Sequence, residues 1–265
     1  MDSPPAPLRS LEDIRREIDR IDDAILKLVG ERLAMVDRVR AFKNDSGSTQ
    51  ASPIRPAREA VILRRLIEAA SDKVPADLCL VLWRALISAA TQRQAPVRVH
   101  GSTGLFDWTE AHLLIKEYFG PAALIVHPGE AVTLEAVAGN PMDVAAVAID
   151  SPWVAPLLDG FAGKAQVIGC LPFLTRQALP RILIFGSAAP EPTGADETLV
   201  ITGDPLPRDF ALAPRWKMQL SDKWLAGLPG FLSEHGAPLV GLKGSNTRLA
   251  LTVVGRYPSP IEVRS

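Results

Sequence analysis

Two cations on one helical face are the first feature of this chain that could do chemistry. Residues 11 to 43 carry apolar side chains at Ile14, Ile18, Ile21, Ile25, Leu28, Met35, Val39 and Phe42. Adding position 32 completes an unbroken 4,3 alternation. Arg32 therefore stands on the apolar seam, where leucine is expected. A charge there needs a partner or a ligand, because burying an uncompensated ion is costly. Lys43 follows about 20° past three full turns and ~16 Å along the axis. The two cations could grip a small dianion between them. Equally, Arg32 could snorkel or pair with a carboxylate while Lys43 is merely solvated.

Arg15 lies ~25 Å before Arg32 and is turned by roughly 100°, so it cannot serve the same site within one straight helix. It is either an exposed helix cation or a ligand group in a site completed by another subunit. Further on, Arg84, Ser88 and Gln92 recur at four-residue steps and share one helix face. Ser88 and Gln92 could both hydrogen-bond one ligand, or the stripe could be a solvent face. Arg58 and Glu59 add an adjacent cation and carboxylate near a helix start. His100, His112, His127 and His235 are scattered and suggest no metal site. Cys79 and Cys170 lack the CxxC spacing of a zinc or redox centre and read as buried thiols in a reducing compartment.

The elements that must hold these residues are legible from periodicity and punctuation. Residues 11 to 43 form one long helix, with Ser10 and Asp13 as a capping signal and Asn44 to Gly47 as the stop. At 1.5 Å per residue it spans ~50 Å, and its stripe invites a partner chain. After a polar loop to Pro53, Pro56 suits the first turn of a second helix reaching about Ala70. Pro75 opens a third helix that runs to Gln94. Beyond Pro96 the texture changes to short β-like runs at 97–100, 122–126, 144–149, 182–185 and 198–201. Prolines and glycines crowd residues 186 to 208, suggesting loops or a boundary.

The expected class is α plus α/β: a leader (1–10), a helical unit (11–95) and a smaller α/β domain (97–265), with a regulatory-like tail from about 207. At 265 residues, 47% apolar and 22% charged, the composition is globular. A net charge of -1 removes the simplest signature of a nucleic-acid or acidic-membrane binder. No apolar run approaches the ~18 residues of a membrane span, and the N-terminus lacks a signal-peptide pattern. The expected location is the cytoplasm.

The series Arg15, Ile18-Asp19, Ile21-Asp22, Ile25-Leu26, Arg32, Lys43, Pro53, Arg58-Glu59, Ser88 and Gln92 resembles the all-helical chorismate mutase family over residues 11 to 95. The resemblance implies a three-helix unit in an intertwined homodimer that rearranges chorismate to prephenate without a cofactor. It implies that Arg32, Arg58 and Lys43 bind the two substrate carboxylates, with Arg15 supplied by the partner subunit. Lys43 and Gln92 would face the breaking ether oxygen. Glu59 would accept from the substrate hydroxyl, and Ser88 would orient the ligand. One departure stands out: family members often carry an extra residue and an aspartate before the Arg-Glu pair, where this chain has Arg55-Pro56-Ala57.

Residues 97 to 120 resemble the opening of a prephenate dehydratase domain, continued by 143–151 and 181–186. That family carries a Thr-Arg-Phe motif, and here the matching stretch is Pro180-Arg181-Ile182. The lost hydroxyl points to a degenerate, non-catalytic α/β region. A mutase with an accessory domain is thus set beside a bifunctional mutase and dehydratase, and beside a non-catalytic chorismate-binding regulatory protein.

Overall fold

The computed structural model describes residues 10–45, 52–70, 73–245 and 249–262, and of residues 43, 44 and 243–245 the backbone alone. Two compact units divide it, residues 1–49 and 50–265.

The first unit is one helix, α1 (Leu11–Asp45). Its start follows the sequence signal: the Ser10 hydroxyl accepts from the Asp13 N–H at 3.1 Å, satisfying an otherwise orphan donor. Glu12 and Asp13 place negative charge at the positive end of the helix dipole. Ion pairs one turn apart, Asp13 with Arg16 and Glu17 with Arg20, line its exposed surface. The apolar seam remains open, from 43% exposure at Ile14 to 74% at Phe42. A helix gains most of its stability from packing such a face.

The second unit begins with α2 (Pro56–Ala70) and α3 (Ala76–Gln94). It continues through β1 (Arg98–Ser102), α4 (Thr103–Asp107), α5 (Thr109–Phe119), β2 (Ala123–His127), α6 (Glu130–Ala138), β3 (Val144–Ala148) and α7 (Val154–Leu158). Then come β4 (Gln166–Leu171), β5 (Leu174–Thr175), β6 (Ile182–Gly186), β7 (Asp196–Thr202), β8 (Trp216–Leu220), β9 (Lys223–Pro229), α8 (Ala237–Ser245), β10 (Thr252–Pro258) and β11 (Ile261–Glu262). Nine strands form one sheet in the order β2-β1-β3-β6-β4-β10-β7-β9-β8, and β5 pairs with β11 apart from it. The strands β2, β1 and β3 run parallel, as expected where helices connect them. The rest of the large sheet is mostly antiparallel. The α plus α/β class holds, and the large sheet recruits β4, β8, β9 and β10 in addition to the runs named from sequence.

Side-chain alternation builds two cores from the same strands. Ala145 and Val147 of β3 and Leu183 and Phe185 of β6 face the layer holding Leu134, Val137 and Trp153. Their neighbours Val144, Ala146, Ile182 and Ile184 face the layer of Ala111, Ile115 and Phe119. Strands buried on both faces read as continuous apolar runs, which is why β3 and β6 stand out in the sequence. A third core joins β7 and β9 to α8 through Val200, Leu228 and Leu239. β10 slots between β4 and β7, parallel to one and antiparallel to the other. Gly255 makes this possible, since a Cβ there would fall 2.1 Å from the Val167 carbonyl oxygen.

The helices α2 and α3 belong to this unit by packing. Ala60, Leu63, Leu80 and Ile87 form a small core with Phe173. Arg64 of α2 ties down the sheet end, donating to the Ala195 and Ser259 carbonyls at 2.8 and 2.6 Å and to the Thr193 hydroxyl at 2.9 Å. Cys79 and Cys170 are both buried free thiols.

Candidate functional site

The polar stripe on α3 faces inward. Arg84 and Ser88 are buried, Gln92 is half-buried, and all three meet partners from other elements. Arg84 Nη1 lies 2.6 Å from Glu59 Oε2 of α2. Its Nε and Nη2 donate to the Tyr118 carbonyl at 3.2 and 2.6 Å. The guanidinium also lies over the Tyr118 ring, 3.5 Å from its centroid. Burial works against the Arg84 charge, but Tyr118 and Glu59 outweigh it and raise the guanidinium pKa. A buried pair of this kind is weak evidence for net stability, though removing one partner is strongly destabilising.

One turn on, the Ser88 hydroxyl donates to the Phe119 carbonyl. A further turn on, Gln92 Nε2 donates to the Val97 carbonyl at 3.0 Å, and the Val97 N–H donates back to Gln92 Oε1 at 3.1 Å. Glu59, Arg84, Ser88 and Gln92 share one small cavity of about 20 Å³, closed further by Ile54, Thr91, Val97 and Phe119. That is room for about one water molecule.

Three residues named from sequence, Glu59, Ser88 and Gln92, therefore converge on one polar pocket from two helices. Their hydrogen-bonding groups are engaged by Arg84 and by the backbone of Arg55, of Phe119 at the end of α5 and of Val97 just before β1. The remaining assignments lie elsewhere. Arg58 is exposed on α2. In the first unit, Arg15 is exposed and 3.9 Å from Glu12. Arg32 is half-buried, and burial lowers its pKa. The Lys43 side chain falls outside the described residues.

Two features escaped sequence reasoning. Arg84 stood out only as part of a stripe, yet it is the ionic partner of Glu59, which no spacing along one helix could reveal. The histidines look scattered, but strand register brings two together. His100 Nδ1 is 2.8 Å from His127 Nε2, and His100 Nε2 is 3.1 Å from Asp143 Oδ2. Asp143 also accepts from Arg98 Nη2 at 2.6 Å and Asn140 Nδ2 at 2.8 Å. In the neutral tautomer of His100 whose Nε2–H donates to Asp143, Nδ1 is left as an acceptor for a His127 Nε2–H. Burial, then the neighbouring His100, lowers the His127 pKa. Among the described residues no group of three or more His, Cys, Asp or Glu side chains is arranged to hold a metal ion. No described helix is long and apolar enough to cross a membrane.

Where the dehydratase resemblance would place its threonine stands Pro180. The next residue, Arg181, pairs with Glu110 and lies 4.7 Å from the Trp108 ring centroid.

Fold and site together define a helical segment with a buried polar cluster, joined to a mixed-sheet α/β domain. Residues 14–95 match the model of the chorismate mutase type II family. A bifunctional chorismate mutase/prephenate dehydratase of Aquifex aeolicus (strain VF5) is 28% identical over 123 residues, which is 44% of this chain and 32% of that protein. The chain thus spans about a third of the length of the curated relative it matches. Among solved structures, a quorum-quenching acylase, GqqA, is 15% identical with a TM-score of 0.43, over 62% of this chain and 96% of that one. A prephenate dehydratase from Streptococcus mutans is 12% identical with a TM-score of 0.37, over 63% of this chain and all of that one.

Proposed function

We propose that this chain is a chorismate mutase whose active unit is residues 11–95, with residues 97–265 as an accessory, non-catalytic α/β domain. The observation that carries the reading is the meeting of Glu59, Ser88 and Gln92 in one polar cavity, inside a segment that matches the mutase family. The substrate is chorismate, the product prephenate, the pathway aromatic amino acid biosynthesis, and the setting the cytoplasm.

The rearrangement is pericyclic and calls for no nucleophile, proton donor or cofactor. A ~10⁶-fold acceleration asks for about 8 kcal/mol. Arg32, Arg58 and Lys43 hold the two carboxylates and fix the flexible side arm over the ring, and fixed orientation supplies several of those kcal/mol. Lys43 and Gln92 face the ether oxygen, where charge builds as its bond breaks. Removing one such donor typically raises the barrier by about 3 to 4 kcal/mol. Glu59 and Ser88 orient the ring. The active form is a homodimer: the open seam of α1 supports a second copy covering it, with Arg15 reaching the partner's site.

For Gln92 to reach substrate it must leave Val97. Two neutral hydrogen bonds at ~0.5 to 1.5 kcal/mol each make that step affordable, at about 1 to 3 kcal/mol. The same closure favours a second reading, a regulatory protein that binds chorismate without consuming it. Incubation with chorismate and identification of the product separates the two. Prephenate supports the mutase, bound but unconsumed chorismate supports the regulator, and phenylpyruvate supports a bifunctional enzyme.

A further inference from the structure

A second recess of the second unit is larger than the polar cavity. It lies between α3, α5 and the segment 171–174, has a volume of about 150 Å³, and shares only Arg84 with that cavity. Leu80, Leu114, Tyr118, Leu171, Phe173 and Leu174 give it apolar walls. An apolar cavity of this volume accepts a ring the size of benzene. The charges around it are one-sided. Asp77 and Glu117 line the recess, are exposed, and make no ion pair among the described residues. Arg84 is the recess's one cation, and it is engaged by Glu59, by the Tyr118 carbonyl and by the Tyr118 ring. An anionic ligand would have to break that buried pair, whereas a cation meets two available carboxylates.

We infer that this recess is a binding site for a compact hydrophobic cation, an ammonium carrying an aryl or branched alkyl group. The apolar part fills the space beside Leu114 and Phe173, and the ammonium lies against Asp77 and Glu117. Because Arg84 lines both the recess and the Glu59–Ser88–Gln92 cavity, an occupant touches the residue that closes the polar cluster. The site itself stands independently of the mutase reading.

Calorimetric titration of the full chain tests the assignment, using 2-phenylethylammonium chloride and, as the charge-reversed probe of similar size, 3-phenylpropanoate. Saturable binding of the ammonium near or below about 1 mM is expected, at least about fivefold tighter than the carboxylate. Asp77→Asn with Glu117→Gln, both at exposed positions, should remove most of that preference. Leu114→Trp should abolish binding by filling the recess. The inference is overturned by absent saturation with the ammonium, by equal binding of the two probes, or by an unchanged preference in the Asp77→Asn/Glu117→Gln protein. Should Leu114→Trp fail to fold, the charge variant alone decides.

Discussion

Gln92 and Val97 are joined at two points, the amide nitrogen donating to the carbonyl at 3.0 Å and the amide oxygen accepting from the N–H at 3.1 Å. The side chain to which the mutase reading assigns the ether oxygen thus also fastens the end of α3 to the chain entering β1. One residue holds two roles, and its substitution should register in two measurements. Gln92→Ala is expected to lower turnover of chorismate at least about tenfold. It should also destabilise the folded chain by about 1 to 3 kcal/mol in urea titrations, since both Val97 groups lose their partner. Normal turnover in a measurably destabilised protein would reduce Gln92 to a fastener.

The Glu59–Arg84 pair gives a second prediction. Glu59→Leu leaves a buried guanidinium short of its carboxylate, and Arg84→Met leaves a buried carboxylate short of its guanidinium. Each should destabilise by about 3 to 5 kcal/mol, and the double variant by much less than their sum. Denaturant titration of the four proteins closes the cycle, and additivity would count against direct coupling.

Shared sites across a dimer can be tested by mixing. Arg15→Ala subunits and Lys43→Ala subunits, each inactive alone, should regain part of the activity when combined, because one of the hybrid's sites draws both residues from intact copies. Ile25→Glu, at a seam position 54% exposed in the single chain, should shift the protein toward monomer in light scattering and lower activity. A variant that stays dimeric and active would place the interface elsewhere.

Glu197 sets a pH dependence unrelated to catalysis. It is buried and accepts from Trp216 Nε1 and the Tyr257 hydroxyl at 2.9 Å each. Burial raises its pKa above 4.5, against the lowering effect of those hydrogen bonds. The folded state therefore holds the proton more tightly than the unfolded state. The stability this contributes is complete below 4.5 and is lost as pH rises through the raised value. Glu197→Gln keeps an acceptor without the charge, so its melting temperature should fall less than the wild type's as pH rises from about 5 to about 8. Parallel pH curves for the two proteins would contradict this.

The fold was legible where one segment carries its own signal. Periodicity and proline placement gave α2 from Pro56 to Ala70 and α3 to Gln94, and the Ser10 cap of α1 forms as its sequence indicates. Apolar runs marked β1, β2, β3, β6 and β7. The strands β4, β9 and β10 were not singled out because Gly169, Gly227 and Gly255 interrupt them, the last two at places where a ring and a backbone come close. At Gly227 a Cβ would lie 2.2 Å from Trp216 Nε1. The crowded stretch 186–208, expected to be loop or boundary, contains β7, buried along its whole length. At the site, helix geometry foretold that Ser88 and Gln92 share a face. It could not foretell that their partners are carbonyls of Phe119 and Val97, because every residue carries a carbonyl and only tertiary structure selects one. His100 and His127 escaped for a related reason: they meet through register between β1 and β2.

The position of β10 also fixes when the domain can be finished. During synthesis at ~5–20 residues per second, β4 and β7 are made well before residues 252–258, and their facing edges await the strand of the large sheet that is made last. For several seconds the nascent chain offers two unpaired strand edges, each a template for a neighbouring chain. Chaperone demand and expression yield should therefore depend on how quickly Gly255 reaches Val167.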